Sequence, residues 1–159
     1  SVSNWGAYGL AAYLSILDGK HLMPSYDWAA DYMKETVERA KRDGYAVTLF
    51  GRRRYLPELS SANYNLRSFG ERVALNMPVQ GTAADIIKLA MVRVDRRFRE
   101  ELPQARLLLQ VHDELIAECP PELAEKAARL LEAEMSAAAE LDVPLLAEAH
   151  IGASWSDAK

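Results

Sequence analysis

Three ionisable side chains stand together at His112-Asp113-Glu114, between the apolar runs Leu107-Leu108-Leu109-Gln110-Val111 and Leu115-Ile116-Ala117-Glu118-Cys119. The runs read as strands and the polar residues as the charged tip of a tight hairpin. Holding a histidine and two carboxylates at one corner costs solvation unless water or a cation compensates them. Hard cations such as Mg²⁺ prefer carboxylate oxygens and commonly share them with phosphates. Asp113 and Glu114 are therefore candidate metal ligands, one arm of a site for metal-assisted phosphoryl chemistry. Taken alone, such a triplet is more often a solvated turn.

Two further stretches carry groups suited to nucleic acid. Asn76 and Gln80 lie in Asn76-Met77-Pro78-Val79-Gln80-Gly81-Thr82, at the start of a helix that a proline must kink. Their amides can donate to the base acceptors N3 and O2 of a minor groove, a pattern nearly the same for every base pair. They can equally satisfy backbone groups that Pro78 frees. Gly51-Arg52-Arg53-Arg54-Tyr55 places three guanidiniums on a turn, which suits phosphates and also suits plain solvent.

The elements that must position these groups follow from periodicity. Residues 7–17 read as a short apolar helix stopped by Asp18-Gly19, and Asp27 caps a helix that ends at Gly44. Residues 45–50 favour a strand, 51–54 a turn, and Tyr55-Leu56 its returning partner. A helix covers 66–77 up to Pro78. A new one begins at Thr82, where Thr82 and Asp85 have capping-box spacing ahead of Ile86, Ile87, Leu89, Ala90, Met91 and Val94. After the 107–118 hairpin, Pro121 opens a helix with the stripe Leu123, Ala127, Leu130, Leu131, Met135 and Ala138, and residues 143–151 form a last strand. The expected class is α+β: a small antiparallel sheet, the hairpin plus the strand at 143–151, backed by helices.

The chain has 159 residues, half of them hydrophobic, enough for one ordinary core or two small ones. Its net charge of −4 is unevenly spread: residues 1–38 carry −3, residues 39–99 carry +8, and residues 100–159 carry −9. A cationic middle third beside an acidic region suits phosphates with cations nearby, and equally suits two helices paired by salt bridges. The single cysteine, Cys119, excludes an internal disulfide and fits a reducing, cytoplasmic setting. No apolar run approaches the roughly 20 residues of a membrane span.

The order of these blocks resembles the C-terminal part of bacterial family A DNA polymerases, the polymerase I type, from about Tyr32 to Lys159. The matching stretches are residues 44–59, 67–92, 107–118 and 150–159. The resemblance implies a palm with part of the fingers and a role in DNA replication and repair. The hairpin would be motif C, with Asp113 a catalytic metal-binding carboxylate, Glu114 its acidic neighbour, and His112 near the primer 3′ end. Asn76, Gln80 and Arg72 would meet the minor groove of primer–template DNA, and Arg52, Arg53 and Arg54 its backbone. The implied reaction is transfer of a nucleotide from dNTP to a primer 3′-hydroxyl with two Mg²⁺ ions.

The same resemblance implies what this sequence does not contain. Motif A, the strand with the second metal-binding carboxylate, precedes the fingers in the family and is not among these residues, nor are the thumb and most of the fingers. The chain alone is therefore expected to be an inactive polymerase fragment. The alternative is a chimeric or designed folded module, non-catalytic, with weak affinity for duplex DNA. Residues 1–30 do not follow the family pattern and look like a piece of a D-glutamate cyclase-like protein. That divides the chain into a heterologous segment, 1–30, and a polymerase part, 31–159. A plainer alternative makes 7–17 an apolar helix over a bare core face. The sheet edge that motif A would occupy is expected to be covered by residues 1–20 or by a second copy of the chain, giving a homodimer.

Overall fold

The computed structural model describes the backbone of residues 8–16, 26–141 and 144–158, with side chains from residue 33 onward. The chain forms two compact units: residues 18–85, and residues 86–159 together with the N-terminal strand. The expected α+β class holds.

The larger unit is a four-stranded antiparallel sheet backed by helices. Its strands are β1 (Tyr8–Ile16), β4 (Arg106–Val111), β5 (Glu114–Cys119) and β6 (Leu145–Gly152), in the order β4-β5-β1-β6. The hairpin β4–β5 closes on the pair Val111 and Glu114, as the tight polar tip requires. Helix α4 (Ala124–Ser136) follows a short 3-10 turn, Pro121–Leu123. Its buried residues Ala127, Leu130, Leu131 and Met135 recur at helical spacing and join Leu115, Ala117 and Cys119 of β5 in one core. Helix α3 (Thr82–Glu101) adds Ile86, Ile87, Ala90, Val94 and Phe98 to that cluster. Its polar face is laced by i,i+4 pairs, Arg96 with Glu100 and Arg97 with Glu101. Arg97 also reaches Glu134 of α4 at 2.7 Å. Cys119 is a buried strand thiol, and burial raises its pKa.

Residues 7–17 were expected to be helical, and the structure corrects this. Tyr8–Ile16 is strand β1, paired antiparallel with β5 and with β6, so the sheet is not simply the hairpin plus a final strand. An apolar run of this length is ambiguous between a strand and a buried helix. Here the unpaired edges of β5 and β6 decide, because each backbone N–H and C=O they present needs a partner. The inner edge of the hairpin is thus filled by residues of the same chain, and a homodimer through that edge finds no support.

The smaller unit contains α1 (Tyr26–Asp43), the two-stranded ribbon β2 (Tyr45–Val47) and β3 (Arg53–Tyr55), and α2 (Tyr64–Asn76). Gly44, at φ 77°, ends α1 in the left-handed conformation expected of a C-terminal glycine. Asn63 caps α2, its side chain accepting from the N–H groups of Asn65 and Leu66. Ala40, Ala46, Leu56, Leu59, Ala74 and Met77 form a separate small core. Lys41 joins α1 to α2 through Glu71 at 3.1 Å, and that bond with Glu38 raises its pKa.

Two boundaries differ from expectation. The strand foreseen over 45–50 stops at Val47, because residues 48–52 turn tightly, with the Gly51 N–H donating to the Thr48 carbonyl at 2.9 Å and Gly51 at φ 82°. The break foreseen at Pro78 is instead a π-helical turn, Met77–Gly81, that carries α2 into α3. A π turn absorbs the donor that proline lacks without ending the helix. Thr82 consequently caps nothing: its hydroxyl donates back to the Pro78 carbonyl and accepts from the Leu49 N–H.

Candidate functional site

The carboxylates stand on the β4–β5 tip. His112 and Asp113 are exposed, and Glu114 is half-buried. His112 is the only described non-glycine residue at positive φ, 53°, a conformation that costs an L-residue about 1–2 kcal/mol. The Gln110 side-chain amide donates to the His112 carbonyl and steadies the turn. The Trp155 indole N–H donates to Glu114 Oε2 at 3.3 Å from a C-terminal turn in which Ser154 Oγ donates to Asp157. Glu114 therefore has a fixed neighbour, whereas Asp113 points its charge at solvent.

Replacing His112 with glycine should relieve the turn. After the entropy cost of glycine, a net gain of about 0.5–1 kcal/mol in unfolding free energy is expected. Urea unfolding reads it directly, and a loss of stability would mean that the imidazole makes a compensating contact.

Asp113 and Glu114 offer the hard oxygens that Mg²⁺ takes. Among the described residues, however, no group of three or more His, Cys, Asp or Glu side chains is placed to hold an ion.

The smaller unit holds a second arrangement. Arg52, Arg54, Asn76 and Gln80 line one cleft of about 310 Å³, with Val73 and Met77 among its apolar wall. Asn76 closes α2 and Gln80 lies four residues on, within the π turn, so the turn's geometry places both amides on one wall. Among the described residues no ion pair or hydrogen bond engages the Arg54 guanidinium. Arg52 is held by Asp85 instead, at 2.7 Å. Two other expected site residues lie apart from this lining. The Arg53 guanidinium stacks 4.6 Å from the Tyr45 ring, itself edge-on to Tyr55, and Arg72 is exposed on α2. The structure thus gathers four of the six expected DNA-facing side chains.

Trp155 and Asp85 were not among the expected site residues. Local spacing marks Asp85 only as half of a capping box. Their partners lie 41 and 33 residues away in the chain, beyond any local pattern.

This fold corresponds to part of a polymerase domain. A solved structure described as the POL domain of Pol1 from M. smegmatis, in complex with DNA primer–template and dNTP, matches with a TM-score of 0.79 and 45% identity, covering 84% of this chain and 24% of that one. The family model for DNA polymerase family A matches residues 15–157, and the chain belongs to that family. It is 49% identical to DNA polymerase I of Bacillus caldotenax over 158 aligned positions, and 45% identical to that of Mycobacterium tuberculosis strain H37Rv over 163. In both comparisons 96% of this chain is covered but only 18% of the relative. Coverage of 96% takes in most of residues 1–30, so a separate, D-glutamate cyclase-like origin for that segment finds no support. No helix among the described residues is long and apolar enough to cross a membrane.

Proposed function

We propose that this chain is the primer–template-facing C-terminal part of a bacterial DNA polymerase, with palm and fingers residues together, acting in replication and repair in the cytoplasm. The observation that carries the reading is the cleft that an unengaged guanidinium, Arg54, lines together with Asn76 and Gln80. A cation for the backbone beside donors for a minor groove reads duplex geometry without reading sequence. Arg72 and Arg53 lie outside that lining and would add phosphate contacts at its margin. The hairpin would contribute Asp113 and Glu114 to a two-Mg²⁺ site, with His112 near the primer end and dNTP as the second substrate.

Two carboxylates without further ligands hold Mg²⁺ weakly, so the chain alone is proposed to bind DNA but not to extend a primer. That places the fragment reading and the non-catalytic module close together: one describes its descent, the other its behaviour. The experiment is a salt titration of binding to a labelled primer–template, followed by extension with Mg²⁺ and all four dNTPs. Arg54→Ala should lower the slope of log affinity against log salt by about 1 and weaken binding to all sequences alike. Absence of binding at low salt would defeat the DNA reading, and template-dependent extension would defeat the proposed inactivity.

A further inference from the structure

Arg52 stands in a run of three arginines on a turn, where residue type and place suggest a phosphate contact. Two of its donors are directed into the protein instead. Nε donates to Asp85 Oδ1 at 2.7 Å, and Nη2 donates to the Gly81 carbonyl at 2.9 Å. The Arg52 backbone N–H donates to Thr48 Oγ1 at 3.2 Å, and the Leu49 N–H to Thr82 Oγ1 at 2.9 Å. The 48–52 turn is therefore fastened to residues 81–85, where the π turn passes into α3. The Asp85 side chain is only 12% exposed, so this ion pair is less screened than one between two surface groups. A guanidinium can serve a carboxylate and a carbonyl at once through its planar fork, which an ammonium cannot do with the same geometry.

We propose that Arg52 is a positioning residue: it locks the π turn Met77–Gly81 and so sets where Asn76 and Gln80 stand on the cleft wall, instead of contacting a phosphate. The lock is independent of any ligand. Its consequence for Asn76 and Gln80 rests on the duplex-DNA reading above.

Two measurements on the full chain test this. In amide hydrogen exchange, Arg52→Ala should speed exchange at residues 79–82 on the order of tenfold, as loss of a charge-assisted bond predicts. Arg52→Lys should restore only part of the protection, and Arg54→Ala should leave it unchanged. In salt titrations with labelled primer–template, Arg52→Ala should weaken binding with its salt slope intact, whereas Arg54→Ala should lower the slope by about 1. Unchanged exchange in Arg52→Ala, or a slope lowered by about 1 in that variant, would overturn the proposal. Should the unmodified chain fail to bind duplex at low salt, the DNA reading falls, and the exchange measurement alone still decides whether Arg52 is a lock.

Discussion

Phe98→Ala should lower the unfolding free energy of the larger unit by about 3–5 kcal/mol, the usual cost of emptying a buried aromatic site. Phe98 is 1% exposed and belongs, with Val94, Leu131 and Met135, to the cluster that joins α3, α4 and the sheet. That cluster draws on α3, α4 and the sheet, whose backbones cannot all move in to close the space, so a cavity term adds to the lost transfer energy. Domains are stable by only about 5–15 kcal/mol, so the variant should unfold at much lower urea concentration or not fold at all. Val92 on the same helix is 70% exposed, and Val92→Ala should change stability by no more than about 0.5 kcal/mol. Equal effects from the two substitutions would mean that α3 presents a different face to the sheet.

That helix also shows what local sequence can and cannot settle. The stripe Ile86, Ile87, Ala90 and Val94 repeats at helical spacing, so its buried face was legible, and the buried stripe of α4 and the hairpin tip were legible on the same grounds. Strand β1 was not. An apolar run with Leu and Ala favours helix locally, whereas its pairing partners are residues 114–119 and 145–152. Backbone groups so far apart in the chain overrule propensity without leaving a local trace. The candidate site divides in the same way. Side-chain type marked Asn76, Gln80, Arg54 and the hairpin carboxylates. Whether an arginine is free or already paired depends on a residue elsewhere: nothing within the Arg52-Arg53-Arg54 run distinguishes Arg52, yet Asp85 holds it while Arg54 remains available.

Gly81→Val should damage fold and cleft together. A Cβ at Gly81 would lie 2.7 Å from Thr48 Cγ2 and 3.0 Å from Met77 Sδ. Met77 can yield, because its thioether is the end of a flexible chain. Thr48 cannot yield as readily: it is 4% exposed, and its hydroxyl accepts from the Arg52 N–H, so turning the methyl away sacrifices that bond. Overpacking of this kind costs roughly 1–3 kcal/mol, and valine, with two methyls beyond Cβ, belongs at the upper end of that range. Gly81→Ala should lose less, because alanine gains up to about 1 kcal/mol of helix propensity over glycine. Urea unfolding of both variants should therefore give a graded series. Because Gly81 also lines the cleft and its carbonyl accepts from Arg52, the valine variant should bind primer–template about tenfold more weakly, close to 1.4 kcal/mol, with its salt slope unchanged. A valine variant as stable and as tightly bound as the parent would show that the 48–52 turn and the π turn are not packed against each other, and the positioning role of Arg52 would fall with them.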